Sequence, residues 1–362
     1  MKARRYAVII AGGKGTRFWP LSRASRPKQI LKIASRKSLI RETFDRIAPV
    51  TGRKNVVVVA VNDNAGAVRK ELPGLPPANF IVEPEGKNTA PCIGLAAVEL
   101  ARRDPGAIMC VLPADHWISD VKAFRRTLEA GMKLAERSDV LVTIGVKPGY
   151  PETGYGYILK GKSLDRSRKA AGYEVKGFKE KPPLRQAVRL LRSGALWNSG
   201  IFIWSVKTIL SLLERFNPAV YHGLLKIRRR GAGKNPSLLR REYARMPNIS
   251  IDHAVLEKAG SAGKVVTLEA EFGWSDVGSW ASLYQLLPHD VQRNAGLGKR
   301  LSIETRGSLV YSENRLVVLL GVEDTLVVDS PDAILVADLK RSQQIRNVVA
   351  ELERKGLRSY LA

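Results

Sequence analysis

The sequence predicts an α/β protein in which a doubly wound, mainly parallel sheet covered by helices precedes a small β-rich domain. Three observations predict it. Apolar β-rich runs alternate with helical segments through the first 146 residues. Several runs end in Gly- or Asp-containing loops, at the carboxyl ends of strands where such sheets bind ligands. Beyond about residue 300, short β-rich runs recur every eight to nine residues between turn residues, the spacing of a small β-solenoid.

The elements follow in order. Residues 6–10 form a first strand with a glycine-rich loop directly behind it. Residues 38–48 supply a crossover helix. Residues 56–61, apolar throughout, read as a strand buried on both faces. A third strand covers 80–82. The helix over 90–102 sets Ile93, Ala96, Ala97 and Leu100 on one face. A fourth strand, 107–112, runs into Pro113-Ala-Asp-His116. A helix over 124–137 and a strand over 140–146 complete the alternation. Residues 147–290 are more mixed, with helices over 183–193, 206–215 and 280–287. The β-rich unit has strands at 309–311, 316–320, 325–328 and 333–336 and a closing helix over 343–355. The boundary falls at Arg293-Asn-Ala-Gly-Leu-Gly-Lys299, giving domains of 1–292 and 293–362.

Composition removes several classes. The 362 residues are 44% hydrophobic and 26% charged, as in globular proteins rather than disordered ones. No apolar run nears the roughly 20 residues that cross a bilayer. The apolar stretch 7–11, behind Lys2, Arg4 and Arg5, is too short for a signal-peptide core. Cys92 and Cys110 make no disulfide framework and fit a reducing cytoplasm. The net charge is +26, from 60 Lys+Arg against 34 Asp+Glu. Residues 1–55 hold fifteen bases and two acids, and 226–245 form a second basic stretch. This field is either a solvated basic surface or an attractor of phosphorylated substrates or nucleic acid. No helix-turn-helix, RRM or zinc module is recognisable, so nucleic acid is not the expected partner.

The strongest chemical signal is Ala11-Gly-Gly-Lys-Gly-Thr-Arg-Phe-Trp-Pro-Leu-Ser-Arg23, followed by Arg26-Pro-Lys-Gln29. Gly12, Gly13 and Gly15 let the backbone approach a ligand and turn N–H groups toward phosphate oxygens. Arg17 can bind phosphate through two donors, and Lys28 adds a point charge. The loop is neither a Walker A loop nor a dinucleotide fingerprint, since Phe18 stands where the latter needs its third glycine. Asp115 closes an apolar strand, as either a helix cap or a ligand-edge carboxylate. Asp276, in a Gly/Trp/Ser loop, is equally ambiguous by itself. Glu180-Lys181 is either a surface ion pair or a carboxylate and ammonium facing a ligand. Asn198 can bridge hydroxyls as donor and acceptor. Tyr155 and Tyr157, beside Gly156, read at least as well as core packing as they do as ligand contacts, and Trp197, Trp204, Trp274 and Trp280 read better as core or pocket-wall packing than as base-stacking groups. No His/Cys cluster suits zinc, and His116 is expected to be structural.

Here the chain resembles a known family. The signature loop with its following Pro-Lys-Gln looks like that of the sugar-nucleotide pyrophosphorylases. The form with Trp19 and Gln29 resembles their mannose-1-phosphate guanylyltransferase branch. Further matches run in order through Glu83-Pro with Lys87-Asn-Thr-Ala-Pro91, Pro113-Ala-Asp-His116, Glu152-Thr-Gly-Tyr-Gly-Tyr157 and Phe178-Lys-Glu-Lys-Pro182. They continue through Trp197-Asn-Ser-Gly-Ile-Phe202, Ile251-Asp-His-Ala-Val-Leu-Glu-Lys258 and Gly273-Trp-Ser-Asp-Val-Gly-Ser-Trp280, covering about residues 6–337. Lys179 and His253 depart from the commoner residues at their positions.

The resemblance implies a Rossmann-like GT-A domain and a left-handed-β-helix-like C-terminal domain. It implies a reaction, GTP plus mannose 1-phosphate giving GDP-mannose and pyrophosphate. The nucleotide then meets Ala11, Gly12, Gly13, Gly15, Thr16, Arg17, Lys28 and Asp115, with Glu83, Asn88 and Thr89 reading guanine. The sugar phosphate meets Gly156, Glu180, Lys181 and Asn198, and Mg²⁺ lies on Asp115 and Asp276. Catalysis rests on Arg17, Lys28, Asp115, Lys181 and Asp276. A homodimer without membrane contact is expected, and no isomerase activity. Two neighbouring readings stand beside this one: a sister enzyme with another nucleotide or sugar, and a non-catalytic GDP-mannose-binding regulator.

Overall fold

Period-two burial organises the main sheet. In β1 (Arg5–Ala11), Tyr6 and Val8 enter one core while Ala7, Ile9 and Ala11 enter the core on the opposite face. Both faces are covered, which is why the strand reads as a continuous apolar run. The structure, a computed structural model, describes residues 3–13, 15–33, 35–164, 172–230 and 235–361. Lys2, Lys14 and Lys234, counted above among the basic residues, lie outside the described residues.

Helix α1 (Leu39–Thr51) is capped by Ser38, whose side chain accepts from the Arg41 N–H. It leads to β2 (Val56–Val61), α2 (Asn62–Glu71), β3 (Phe80–Glu83), α3 (Thr89–Arg103) and β4 (Ile108–Pro113). β1 pairs in parallel with β2 and β4, and β2 with β3. The short β5 (Trp117–Ile118), α4 (Val121–Arg137) and β6 (Leu141–Val146) follow. The middle of the chain then supplies β7 (Gly156–Ser163), β8 (Gly172–Glu180), α5 (Leu184–Arg192), β9 (Leu196–Ser205), α6 (Val206–Phe216), α7 (Pro218–Arg230), α8 (Pro236–Ala244), α9 (Glu257–Ser261), β10 (Val265–Ala270), β11 (Trp274–Ser275) and α10 (Trp280–Leu286).

The strand order is β3-β2-β1-β4-β9-β6-β10-β8-β7. Most strands share one direction, but β9 sits between β4 and β6 and opposes both. The simple alternation of strands did not anticipate this. β9 can hold a central place because both of its faces are apolar. Leu196, Phe202 and Trp204 enter one core, and Trp197, Ile201 and Ile203 the other. β7 and β8 form an antiparallel hairpin at the sheet edge.

The C-terminal unit contains β12 (Ala295–Leu297), β13 (Arg300–Ile303), β14 (Leu309–Ser312), β15 (Val317–Leu320), β16 (Thr325–Asp329), β17 (Ile334–Asp338) and α11 (Ile345–Arg354). β12, β14 and β16 stack in parallel as one wall, and β13 and β15 as a second. This is a short β-helix. The evenly spaced runs suggested one continuing coil, but β17 folds back antiparallel on β16 and ends it.

The coil packs on the α/β domain. Phe18, Leu21, Trp280, Leu309, Tyr311, Leu326 and Val328 share one core. Arg23 binds Asp332 through two nitrogens at 2.6 and 3.0 Å. The Trp19 Nε1–H donates to the Tyr360 carbonyl at 2.9 Å. The signature loop therefore lies between two domains. Trp204 and Trp280 are fully buried, consistent with packing roles. Part of the second basic stretch is neutralised internally, since Lys226, Arg241 and Arg245 converge on the buried Glu242 carboxylate.

Candidate active site

The signature loop leaves β1 at the carboxyl edge of the sheet. The Ala11 carbonyl is held by Gln29 Nε2 at 2.9 Å and by Asn64 Nδ2 at 3.2 Å, so Gln29 fixes where the loop starts. Gly15 has φ +65°, and a Cβ there would stand 2.3 Å from Lys28 Cβ. Only glycine permits both that backbone turn and that approach. The loop is thereby pressed onto Lys28.

Lys28 is 7% exposed. Its Nζ donates to Asp115 Oδ2 at 2.7 Å and to the Asp276 carbonyl at 2.6 Å. Asp115 and Asp276 are remote in sequence but adjacent in space, because β11 pairs with β5. Val277, a β-branched residue at φ +47°, holds the loop after Asp276 in a conformation such residues rarely adopt. Burial would push the Asp115 carboxyl up, but the Lys28 ammonium holds it below its ordinary value. Burial pushes His116 down to about 4, so it is neutral near pH 7. Its Nδ1 accepts from the Trp274 Nε1–H at 3.1 Å, which is the structural role expected of it.

Asp276 Oδ1 accepts the Tyr155 hydroxyl at 2.9 Å. Tyr155 also accepts, at its carbonyl, the Lys181 N–H at 3.2 Å. It thus joins the Asp276 loop to the start of the Lys181 loop, a function that a reading as core packing missed. Trp197 and Trp274 stack edge-on against its ring. No sequence pattern separates such a hydroxyl from that of an ordinary core tyrosine.

One cavity of about 360 Å³ is lined by Ala11, Gly12, Gly13, Glu83, Asn88, Thr89 and Asp115, among others. Thr16 lies in a neighbouring cavity of about 420 Å³ that also touches Gly12. Asn88 caps α3, and the Thr89 hydroxyl accepts the Ile251 N–H at 2.8 Å, so both are already committed to the local backbone. Glu83 is buried at 2% exposure and accepts the Tyr243 hydroxyl. Arg17 is turned toward the C-terminal unit, where its Nη1 donates to Gln343 at 2.8 Å.

Gly156, Glu180 and Asn198 come together beside this centre. A Cβ on Gly156 would be 2.6 Å from Glu180 Oε2 and 3.4 Å from Asn198 Cβ. The Lys181 ammonium pairs with the neighbouring Glu180 carboxylate. Asn198 Nδ2 donates to Asp252 Oδ1 at 2.8 Å. Burial, and then the nearby Glu180 charge, raise the Asp252 carboxyl, while the Asn198 bond opposes the rise. Asp252 borders the 360 Å³ cavity and was not singled out from the sequence, although it lies within a matched motif.

Asp115 and Asp276 each retain one carboxylate oxygen outside the bonds to Lys28 and Tyr155. Among the described residues no group of three or more His, Cys, Asp or Glu is arranged around a metal position. Two oxygen donors with no nitrogen or sulfur suit a hard divalent cation whose remaining ligands are substrate oxygens and water.

Known proteins resemble this chain along most of its length. The Nucleotidyl transferase family model matches residues 6–293, and the MannoseP isomerase/GMP-like beta-helix domain matches 298–352. Mannose-1-phosphate guanylyltransferase ManC of Salmonella typhimurium is 36% identical over 363 residues, covering 98% of this chain and 74% of that protein. Xanthan biosynthesis protein XanB of Xanthomonas campestris pv. campestris is 37% identical over 354 residues, covering 96% and 73%. A solved structure from Thermus thermophilus, described as a mannose-1-phosphate geranyltransferase, has a TM-score of 0.88 at 34% identity. It covers 98% of this chain and 100% of that one. A UDP-glucose pyrophosphorylase of Acinetobacter baumannii, 17% identical with a TM-score of 0.53, shares the fold alone. The chain belongs to the nucleotidyl transferase family, among relatives that include curated mannose-1-phosphate guanylyltransferases.

Proposed function

We propose that this nucleotidyltransferase converts GTP and mannose 1-phosphate to GDP-mannose and pyrophosphate. The observation that carries the chemistry is the Lys28 ammonium lodged between Asp115 and the Asp276 carbonyl, beside the glycine-walled cavity. The names of relatives such as ManC of Salmonella typhimurium support the substrate pair.

An oxygen of the sugar phosphate attacks the α-phosphorus of GTP in line. The new O–P bond forms as the bond to the bridging oxygen breaks, and pyrophosphate leaves with that electron pair. The nucleophile is already anionic, so no side chain has to remove a proton. This chain's residues position the reactants and offset charge. The loop backbone at Gly12, Gly13 and Gly15, with Thr16, cradles the triphosphate, and Lys28 neutralises it. Arg17 exchanges Gln343 for phosphate. Glu180, Asn198 and the Gly156 backbone hold sugar hydroxyls, and Lys181 leaves Glu180 to hold the sugar phosphate. Glu83 meets the guanine edge, with Asn88 and Thr89 shaping the loop beside it. Asp115 and Asp276 would hold Mg²⁺, which would supply charge neutralisation at the α-phosphate.

The catalytic domain is taken as 1–292 and the β-helix domain as 293–362. Both cysteines are buried free thiols, which favours a cytoplasmic setting. No helix of the described residues is long and apolar enough to cross a membrane. The dimer reading is favoured by the β-helix wall where exposed Leu301 and Ile303 lie opposite exposed Val318 and Leu320. Light scattering at micromolar protein reads it directly, and a monomer mass ends it.

The reverse reaction tests the chemistry. Purified protein given GDP-mannose, pyrophosphate and Mg²⁺ should form GTP, and chelation of the metal should stop it. No GTP from folded protein would refute the assignment. Gly156→Ala tests the sugar side, since its methyl would press on Glu180 Oε2. We expect the KM for mannose 1-phosphate to rise roughly tenfold with the KM for GTP little changed. A rise confined to GTP would misplace the sugar site.

A further inference from the structure

Glu83 ends β3 beneath the nucleotide cavity, and its environment is unusual for a carboxylate. Its side chain is buried, and the Tyr243 hydroxyl from α8 donates to it. Among the described residues no Lys, Arg or His forms an ion pair with it. Burial raises the Glu83 carboxyl, and the Tyr243 hydroxyl, followed by the nearby Cys92 thiol, opposes the rise. One oxygen lies on the cavity side beside Gly12: both residues line the cavity, and a methyl on Gly12 would stand 3.6 Å from Oε1. The other, Oε2, takes the bond from Tyr243, which is itself fully buried.

A hydroxyl donor held on one carboxyl oxygen favours the ionised, acceptor-only form of that group. It also fixes which oxygen looks outward. The sign of the cavity-facing atom matters to a purine. Guanine presents N–H donors at positions 1 and 2, which an anionic oxygen accepts. Adenine presents a bare nitrogen at position 1, which the same oxygen repels. A carboxyl group that swings or takes up a proton gives up this discrimination. Tyr243 lies behind Glu83 although the two are 160 residues apart in the chain.

We propose that Tyr243 is the positioning residue for nucleobase selectivity, holding Glu83 with a bare acceptor oxygen toward the base so that guanine is taken and adenine rejected. The inference rests on the reading above that Glu83 meets the base. A buried polar contact aimed at the substrate edge can supply large discrimination, because the wrong partner leaves that contact unpaired.

The test is kcat/KM for GTP, ITP and ATP, each with mannose 1-phosphate, in the wild-type protein, Tyr243→Phe, Glu83→Gln and the double variant. Tyr243→Phe should lower the GTP/ATP ratio about tenfold, as expected for one lost hydrogen bond to a charged group, and leave the KM for mannose 1-phosphate unchanged. Glu83→Gln should lose most of the GTP preference, and ITP should suffer less than GTP because it lacks the 2-amino donor. In the Glu83→Gln background, Tyr243→Phe should have no further effect on the ratio. Tyr243→Met, which fills similar space without a hydroxyl, serves if the Phe variant does not fold, and the ratio must fall with it too. If folded Tyr243 variants slow GTP and ATP alike, the contact is packing and the proposal is overturned. If Glu83→Gln keeps the wild-type ratio, the base-reading role of Glu83 fails first and this proposal fails with it. Loss of the ratio in Glu83→Gln but not in the Tyr243 variants overturns the Tyr243 role alone.

Discussion

Lys28→Ala should lower kcat/KM by at least about a hundredfold, because it removes a positive charge that the transition state needs close at hand. The ammonium is nearly buried and has two oxygen partners, Asp115 Oδ2 and the Asp276 carbonyl. Its loss leaves Asp115 without a cation and the Asp276 carbonyl without a donor. Breaking a fully buried ion pair costs about 3–5 kcal/mol, and the cost here should fall toward the lower end because Asp115 opens to the cavity. The variant should therefore melt at a lower temperature as well as react slowly. Lys28 also neutralises the carboxylate that is proposed to hold the metal. Rate measured against Mg²⁺ concentration should show a changed metal dependence in the variant. Near-normal turnover would remove Lys28 from the mechanism.

Asp276→Asn should cost at least about a hundredfold in rate for a different reason, with far less effect on stability. Asparagine keeps the shape and can still accept the Tyr155 hydroxyl at its Oδ1. The Asp276 carbonyl that receives Lys28 is backbone and is untouched. What disappears is one negative charge at the proposed metal position. The Mg²⁺ concentration for half-maximal rate should rise, while the melting temperature of the metal-free protein should stay close to that of the wild type. A variant with normal turnover and normal metal dependence would show that Asp276 is not a ligand. Comparing the two variants separates a charge that supports both fold and chemistry from one that serves chemistry.

Much of this centre was legible in the residues. The strand before Gly12 and the strand before Asp115 could each be placed at a ligand edge from apolar runs and their terminators, whereas Asp276 joined them only through the family resemblance. Gly15 could be marked as a close-approach position, although that Lys28 is what it approaches is a fact of tertiary packing. The antiparallel insertion of β9 could not be read, because a run apolar on both faces fixes burial and not direction. The turn-back of β17 was equally hidden, since a strand that continues a coil and one that reverses on it have the same length and composition. Tyr155, Asp252 and Tyr243 escaped because their roles depend on partners 121, 54 and 160 residues away. Arg17 shows the converse. Its residue type suits phosphate, yet here its guanidinium rests on Gln343 of the C-terminal unit, so the β-helix domain has a direct hold on the signature loop.

Pyrophosphate release tests the central claim most directly. Purified protein with Mg²⁺ is given GTP and mannose 1-phosphate, and parallel reactions replace GTP by UTP, dTTP, ATP or CTP and mannose 1-phosphate by glucose 1-phosphate. The account predicts that GTP with mannose 1-phosphate is the preferred pair and that GDP-mannose forms in step with pyrophosphate. Preferred turnover of another pair, or no turnover of any pair by folded protein, would contradict it.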